Sequence, residues 1–160
     1  MATIDTTPYV CIPAALAYRE ALGGEKAIRD YNTQLARAAG KRVAEIFGTE
    51  VLENSTGTLG NCCMTNVRLP LDPAVVEEVA IKGGIDKDDV VTVVRDWVLP
   101  MLLKESKTYL FVQYVEGAWW VRFSGQVYLE LEDFEWAAQV LKEMCGRLEK
   151  GEFLQIKSQL

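Results

Sequence analysis

Apolar residues along the chain follow two periods, and the changes between them mark out its elements. Ile28, Tyr31, Leu35, Ala39, Val43 and Ile46 recur at steps of three and four, which predicts a helix over 25–47 stopped by Gly48. Before it, residues 6–22 open on Thr-Thr-Pro and close on Gly23-Gly24. Pro13 interrupts that stretch, so a regular helix is expected from about Pro13 onward. A short strand is expected at 50–52, followed by a turn at Asn54-Ser55-Thr56-Gly57. Residues 61–71 read as a strand stopped by Pro70 and Asp72-Pro73, and residues 74–81 as a short helix ending at Gly83-Gly84. A further helix at 86–104 carries Asp86, Asp88 and Asp89 at its start and lysine at its end, matching the helix dipole. Pro100 is expected to kink it or to mark its last turn. The period then shifts to two over 108–115 and 118–126, runs separated by Glu116-Gly117, before a last helix at 132–149.

This order of elements, with strands bunched near a hairpin and helices segregated around them, predicts an α+β fold. Its centre is a small antiparallel sheet of three to four strands covered by helices. No repeat, linker or low-complexity tract divides the chain. It reads as one domain over 1–160, with a helical N-terminal segment at 1–48 and an α+β small domain at 49–160.

A two-residue turn at Glu116-Gly117 sets the hairpin register. Val115 then faces Ala118, Gln113 faces Trp120, Phe111 faces Arg122 and Tyr109 faces Ser124. Leu110, Val112, Tyr114, Trp119, Val121 and Phe123 fall on one apolar face that should meet the helices. The opposite face mixes aromatics with Gln113, Arg122 and Ser124, and it is the candidate site. An arginine between aromatic rings presents a planar fork suited to a carboxylate. An arginine on such a face is more often simply a solvated cation, and the aromatic stripe Tyr109, Phe111 and Trp120 can equally be interface or core filler.

Composition narrows the chemistry. The 160 residues include no histidine, which excludes serine–histidine and cysteine–histidine couples, an imidazole base and histidine-ligated metals. Net charge is −6, from 17 basic and 23 acidic side chains, and the basic residues form no run, so nucleic acid is not an expected partner. No apolar stretch reaches the roughly 18 residues of a membrane span, and residues 1–9 lack the pattern of a secretory signal. Cys11, Cys62, Cys63 and Cys145 form no CxxC pair. They read as reduced structural thiols, and a cytoplasmic location is the default these absences leave. The Asp86, Asp88, Asp89 cluster lacks calcium-loop spacing and reads as helix-start charge, so no metal is expected.

Three stretches carry a family resemblance. Thr3-Ile4-Asp5-Thr6-Thr7-Pro8-Tyr9 with Ile12-Pro13-Ala14-Ala15-Leu16 resembles a segment of class V aminotransferase-like enzymes, which are fold-type I and use pyridoxal phosphate. Asn61-Cys62-Cys63-Met64-Thr65-Asn66-Val67-Arg68-Leu69-Pro70-Leu71 looks like the strand that begins their small C-terminal domain. Val121-Arg122-Phe123-Ser124-Gly125-Gln126-Val127-Tyr128, then Glu132-Asp133-Phe134, looks like their arginine-serine-tyrosine segment and the helix after it. The nearest likeness is to fungal members of the isopenicillin N epimerase-like and hercynylcysteine sulfoxide lyase-like groups, over nearly the whole chain.

The resemblance implies that Arg122 grips the α-carboxylate of an amino-acid substrate. It implies that Thr3 reaches the cofactor phosphate of a neighbouring subunit, should a large domain be present. Ser124 and Gln126 match positions near the site, whereas Ala2 replaces the family's glycine and Leu129 its asparagine. The family's Schiff-base lysine lies in a large cofactor domain. None of the nine lysines of this chain follows a serine or histidine at a strand end, as that lysine does. The chain therefore reads as a small domain that binds no pyridoxal phosphate alone. Gln113, Trp120, Ser124 and Tyr109 would surround a carboxylate-bearing small molecule on Arg122. The expected partner is a separate large-domain chain or a second copy. Two alternatives stay open. One is a domain repurposed as a cofactor-independent isomerase, cyclase or lyase, since a chain beginning at Met1 suggests a protein made at this length. The other is a non-catalytic dimerisation module whose apolar helical surface seeks a partner.

Overall fold

Alternation in the strands and a 3.6-residue stripe in the helices meet in one core. The computed structural model describes residues 5–158. Among these, α1 (Thr7–Ala21) and α2 (Gly24–Phe47) lead into β1 (Met64–Arg68) and α3 (Pro73–Lys82). There follow α4 (Val90–Ser106), β2 (Phe111–Val115), β3 (Ala118–Ser124) and α5 (Leu131–Glu149). Single 3₁₀ stretches at Lys87–Asp89 and Glu152–Ser158 complete the chain. The fold is α+β, with a three-stranded antiparallel sheet in the order β1-β3-β2.

The hairpin forms as its alternation predicts. Phe111 pairs with Arg122, Gln113 with Trp120 and Val115 with Ala118. Glu116 and Gly117 take positive φ of 49° and 78°, the backbone of a type I′ turn whose twist suits the flanking strands. The Tyr109–Ser124 pair does not form. Lys107 ends α4 in the left-handed region, and the amide of Thr108 still bonds the carbonyl of Leu102 at 3.4 Å, so the chain enters β2 only at Phe111. Ser124 pairs with Met64 of β1 instead.

Val67, Val112, Trp119, Val121 and Phe123 are buried on the helix-facing side of the sheet. They meet α2, which packs on β1 and β3 through Leu35, Ala39 and Val43, and α5, which lies along α2 and brings Phe134 edge-on to Phe123 at 5.8 Å. Residues 50–52 shrink from an expected strand to a single bridge, Val51 opposite Val67.

Both interior prolines lie inside helices that continue past them. Pro8 stands in the first turn of α1, where its missing N–H costs nothing, so the helix begins at Thr7 and not at Pro13. Every residue of α1 is exposed, so the carbonyl that Pro13 cannot bond is open to solvent. Pro100 likewise sits on the exposed side of α4 and frees the carbonyl of exposed Asp96. Trp97, Val98 and Leu102 hold the opposite side in the core and carry the helix on to Ser106. The acids Asp88 and Asp89 lie on the 3₁₀ turn before α4. No helix among the described residues is long and apolar enough to cross a membrane.

Candidate functional site

Arg122 reaches the outer face of the sheet because strand alternation turns it opposite to its buried neighbours Val121 and Phe123. It stands in the central strand, paired across to Phe111 on β2 and to Asn66 on β1. Its guanidinium carbon lies 4.7 Å from the centroid of the Phe111 ring. Other arginines are engaged by carboxylates, Arg68 with Glu50 at 3.2 Å and Arg147 with Glu105 at 2.7 Å. No carboxylate among the described residues pairs with Arg122. A ring on one side of the fork and no internal counter-ion leave its N–H donors turned to whatever approaches from solvent.

Two hollows meet at this side chain. The smaller, about 210 Å³, runs over the sheet face and is walled by Leu52, Asn66, Phe111, Gln113, Trp120 and Arg122. Trp120 is held in it by an Nε1–H bond to the carbonyl of Val115 at 3.3 Å. The larger, about 470 Å³, lies off the end of the hairpin, with Tyr109, Arg122, Ser124, Tyr128 and Trp136 in its wall. Phe111 belongs to both.

The four other sequence-predicted contact residues thus lie around Arg122, though not on one surface. Gln113 and Trp120 join it in the smaller hollow, Tyr109 and Ser124 in the larger. Tyr109 arrives there from outside the ladder, not by facing Ser124 across it. Thr3 and Ala2, which the resemblance ties to a cofactor phosphate, lie outside the described residues. Gln126 and Tyr128 follow β3 into the wall of the larger hollow. Leu129, the other departure from the family pattern, lines that hollow too, and its carbonyl accepts the Tyr31 hydroxyl at 2.7 Å.

Sequence reasoning missed two site residues. Asn66 flanks Arg122 through the β1–β3 register, which a strand read in isolation does not reveal. Trp136 stands half-exposed on α5, whose start is closed by a capping box between Glu130 and Asp133. A tryptophan on the polar side of an amphipathic helix was the available signal.

The close approach of α2 to the end of β3 fixes this region. Gly125 donates its amide to the carbonyl of Cys63 at 2.8 Å, and a Cβ placed on it would come within 2.2 Å of the Asn32 carbonyl oxygen. Only glycine lets the chain turn from β3 toward the larger hollow against that helix.

No protein-family model matches the chain. Curated relatives do. The chain is 37% identical over 158 residues to the L-cysteine desulfhydrase-like proteins lolT2 and lolT1 of Epichloe uncinata, covering 92% of its own length. It is 24% identical over 144 residues to the hercynylcysteine sulfoxide lyase of Schizosaccharomyces pombe, covering 89% of its length. It spans about a third of the length of these relatives, 34%, 35% and 30% in turn. The family resemblance carried by the three sequence stretches is borne out by these matches.

Proposed function

We propose that this chain, which belongs by sequence with the cysteine desulfhydrase-like and sulfoxide lyase enzymes and corresponds to about a third of them, is the portion that grips a substrate carboxylate. Arg122 is the gripping residue. The observation that carries the reading is a guanidinium backed by the Phe111 ring with no carboxylate partner among the described residues. A carboxylate set against that fork accepts two parallel N–H···O bonds, and the half-buried Trp120 shields the contact from water.

The resemblance brings pyridoxal phosphate with it, a cofactor whose chemistry starts from an imine on a lysine amine. Neither hollow beside Arg122 has a lysine in its wall. The residues around Arg122 do not fit that group. In this reading the cofactor belongs to further polypeptide, of the kind the relatives carry beyond the matched third. The exposed Tyr9, Val10, Ile12, Leu16 and Tyr18 of α1 offer that polypeptide an apolar surface.

Titration of the chain with propionate and with propionamide, followed by ¹⁵N NMR, tests the grip. The expected result is a set of shifts centred on Arg122, Phe111 and Asn66 that appears with propionate alone and is lost in Arg122→Gln. Equal shifts with the amide, or shifts that survive the substitution, would overturn it.

A second reading, a non-catalytic association module, is favoured by the same α1 surface. Sedimentation separates the two: self-association abolished by Leu16→Glu in a chain that ignores carboxylates supports the module.

A further inference from the structure

The larger hollow is too big and too aromatic for a carboxylate alone. Three of its wall residues keep their rings in water, with Tyr128 77%, Tyr109 64% and Trp136 49% exposed. Tyr128 and Trp136 follow one another through the loop after β3 and the first turns of α5, whereas Tyr109 comes from the lead into β2. Sequence proximity therefore does not account for the place of Tyr109 beside the other two. Arg122 and Phe111 belong to the wall of the same hollow.

We propose that the ligand carries a planar aromatic group beside its carboxylate, seated among Tyr109, Tyr128 and Trp136 while the carboxylate lies on Arg122. The proposal rests on Arg122 as the carboxylate site and adds what the carboxylate is attached to. The volumes support it. A thiol-sized substituent needs no more than the smaller hollow of about 210 Å³, whereas about 470 Å³ accommodates a fused ring system. Aromatic faces also favour a planar partner over a branched aliphatic one, because rings stack offset or edge-on with a net gain. Asp133 belongs to the same wall, and its carboxylate is held there by the amide of Glu130 at 2.8 Å. A second anionic group on the ligand would be repelled by it, so the class is a monocarboxylate or amino acid with a neutral or cationic aromatic substituent.

Calorimetric titration with propionate, 3-(indol-3-yl)propionate and the methyl ester of the latter tests this. The expected result is indolepropionate binding about tenfold or more tighter than propionate, as burial of a single ring face allows. The ester should bind far more weakly than the acid. Trp136→Ala and Tyr128→Ala, both on exposed side chains, should together bring indolepropionate close to propionate, in chains whose amide spectra show the fold intact. Propionate and indolepropionate binding equally, both lost in Arg122→Gln, would overturn the aromatic site and leave the carboxylate reading standing. Ester and acid binding equally would overturn the carboxylate reading and, with it, the ligand class proposed.

Discussion

Arg122 and Phe111 are partners across the β2–β3 ladder, and the guanidinium of the first lies over the ring of the second, 4.7 Å from its centroid. The ring restricts the long side chain to a few rotamers and covers one face of the fork, leaving its edge as the donor surface. An exposed pair of this kind contributes about 0.5–1 kcal/mol.

Replacing Phe111 by alanine should therefore weaken propionate binding about two- to fivefold while leaving the hairpin paired, since Gln113–Trp120 and Val115–Ala118 are untouched. NMR titration gives the affinity, and cross-strand amide contacts report the register.

Gly125→Ala should cost about 3 kcal/mol of stability, because the new Cβ would meet the backbone carbonyl oxygen of Asn32 at 2.2 Å and neither backbone can yield cheaply. Gly146→Ala should do the reverse. That glycine lies inside α5 with no atom within 4 Å of an added Cβ, so alanine there should stabilise by about 0.5–1 kcal/mol. Urea unfolding of both variants provides the comparison.

Glu116 holds a φ of 49° in the hairpin turn, a conformation asparagine adopts more readily than glutamate. Glu116→Asn is expected to stabilise the chain by about half a kcal/mol, seen as a higher urea midpoint at unchanged slope.

Arg147 joins α4, α5 and the last 3₁₀ stretch. It bonds Glu105 at 2.7 Å and Glu152 at 2.8 Å, and its guanidinium carbon lies 5.2 Å from the Trp97 ring centroid. The hydrogen bond from Arg147 holds the Glu105 carboxyl below its ordinary value of 4.5. A depressed folded value means the contribution is complete above about pH 4.5 and is lost as pH falls through the lower folded value. Arg147→Ala should cost about 1 kcal/mol at pH 7 and flatten the decline of stability below pH about 4.5. Unfolding measured at several acid pH values reads both.

Burial pushes the Cys145 thiol up to about 12, with the charge of Glu149 adding to the shift. Cys11 and Cys62 are exposed and Cys63 half-exposed. Iodoacetamide at pH 8 should label Cys11 and Cys62 promptly, Cys63 more slowly and Cys145 only after unfolding, as mass spectrometry of the alkylated chain would show.

The hairpin was the most legible part of the site in the sequence. Glu116-Gly117 and strict alternation place Phe111 opposite Arg122, and the ladder has that pairing. The α2 stripe was legible for the same reason, although Tyr31 leaves it for the surface, where its hydroxyl bonds the Leu129 carbonyl at 2.7 Å. Element ends were less legible. Pro13 and Pro100 each remove one hydrogen bond, yet both helices run on past them, with the proline on a side open to solvent.

Alone, the sequence determined the α+β class, the hairpin register, the lack of histidine in these 160 residues and the candidacy of Arg122, because strand and helix periods and composition are local properties. Tertiary structure decided what surrounds that arginine. Asn66 comes beside it through a pairing 56 residues distant in sequence. Tyr109, Tyr128 and Trp136 converge only because α5 packs along α2 and the chain pivots at Gly125. A hollow is made of distances between elements, and those follow from how buried faces fit together, which no single element's pattern contains.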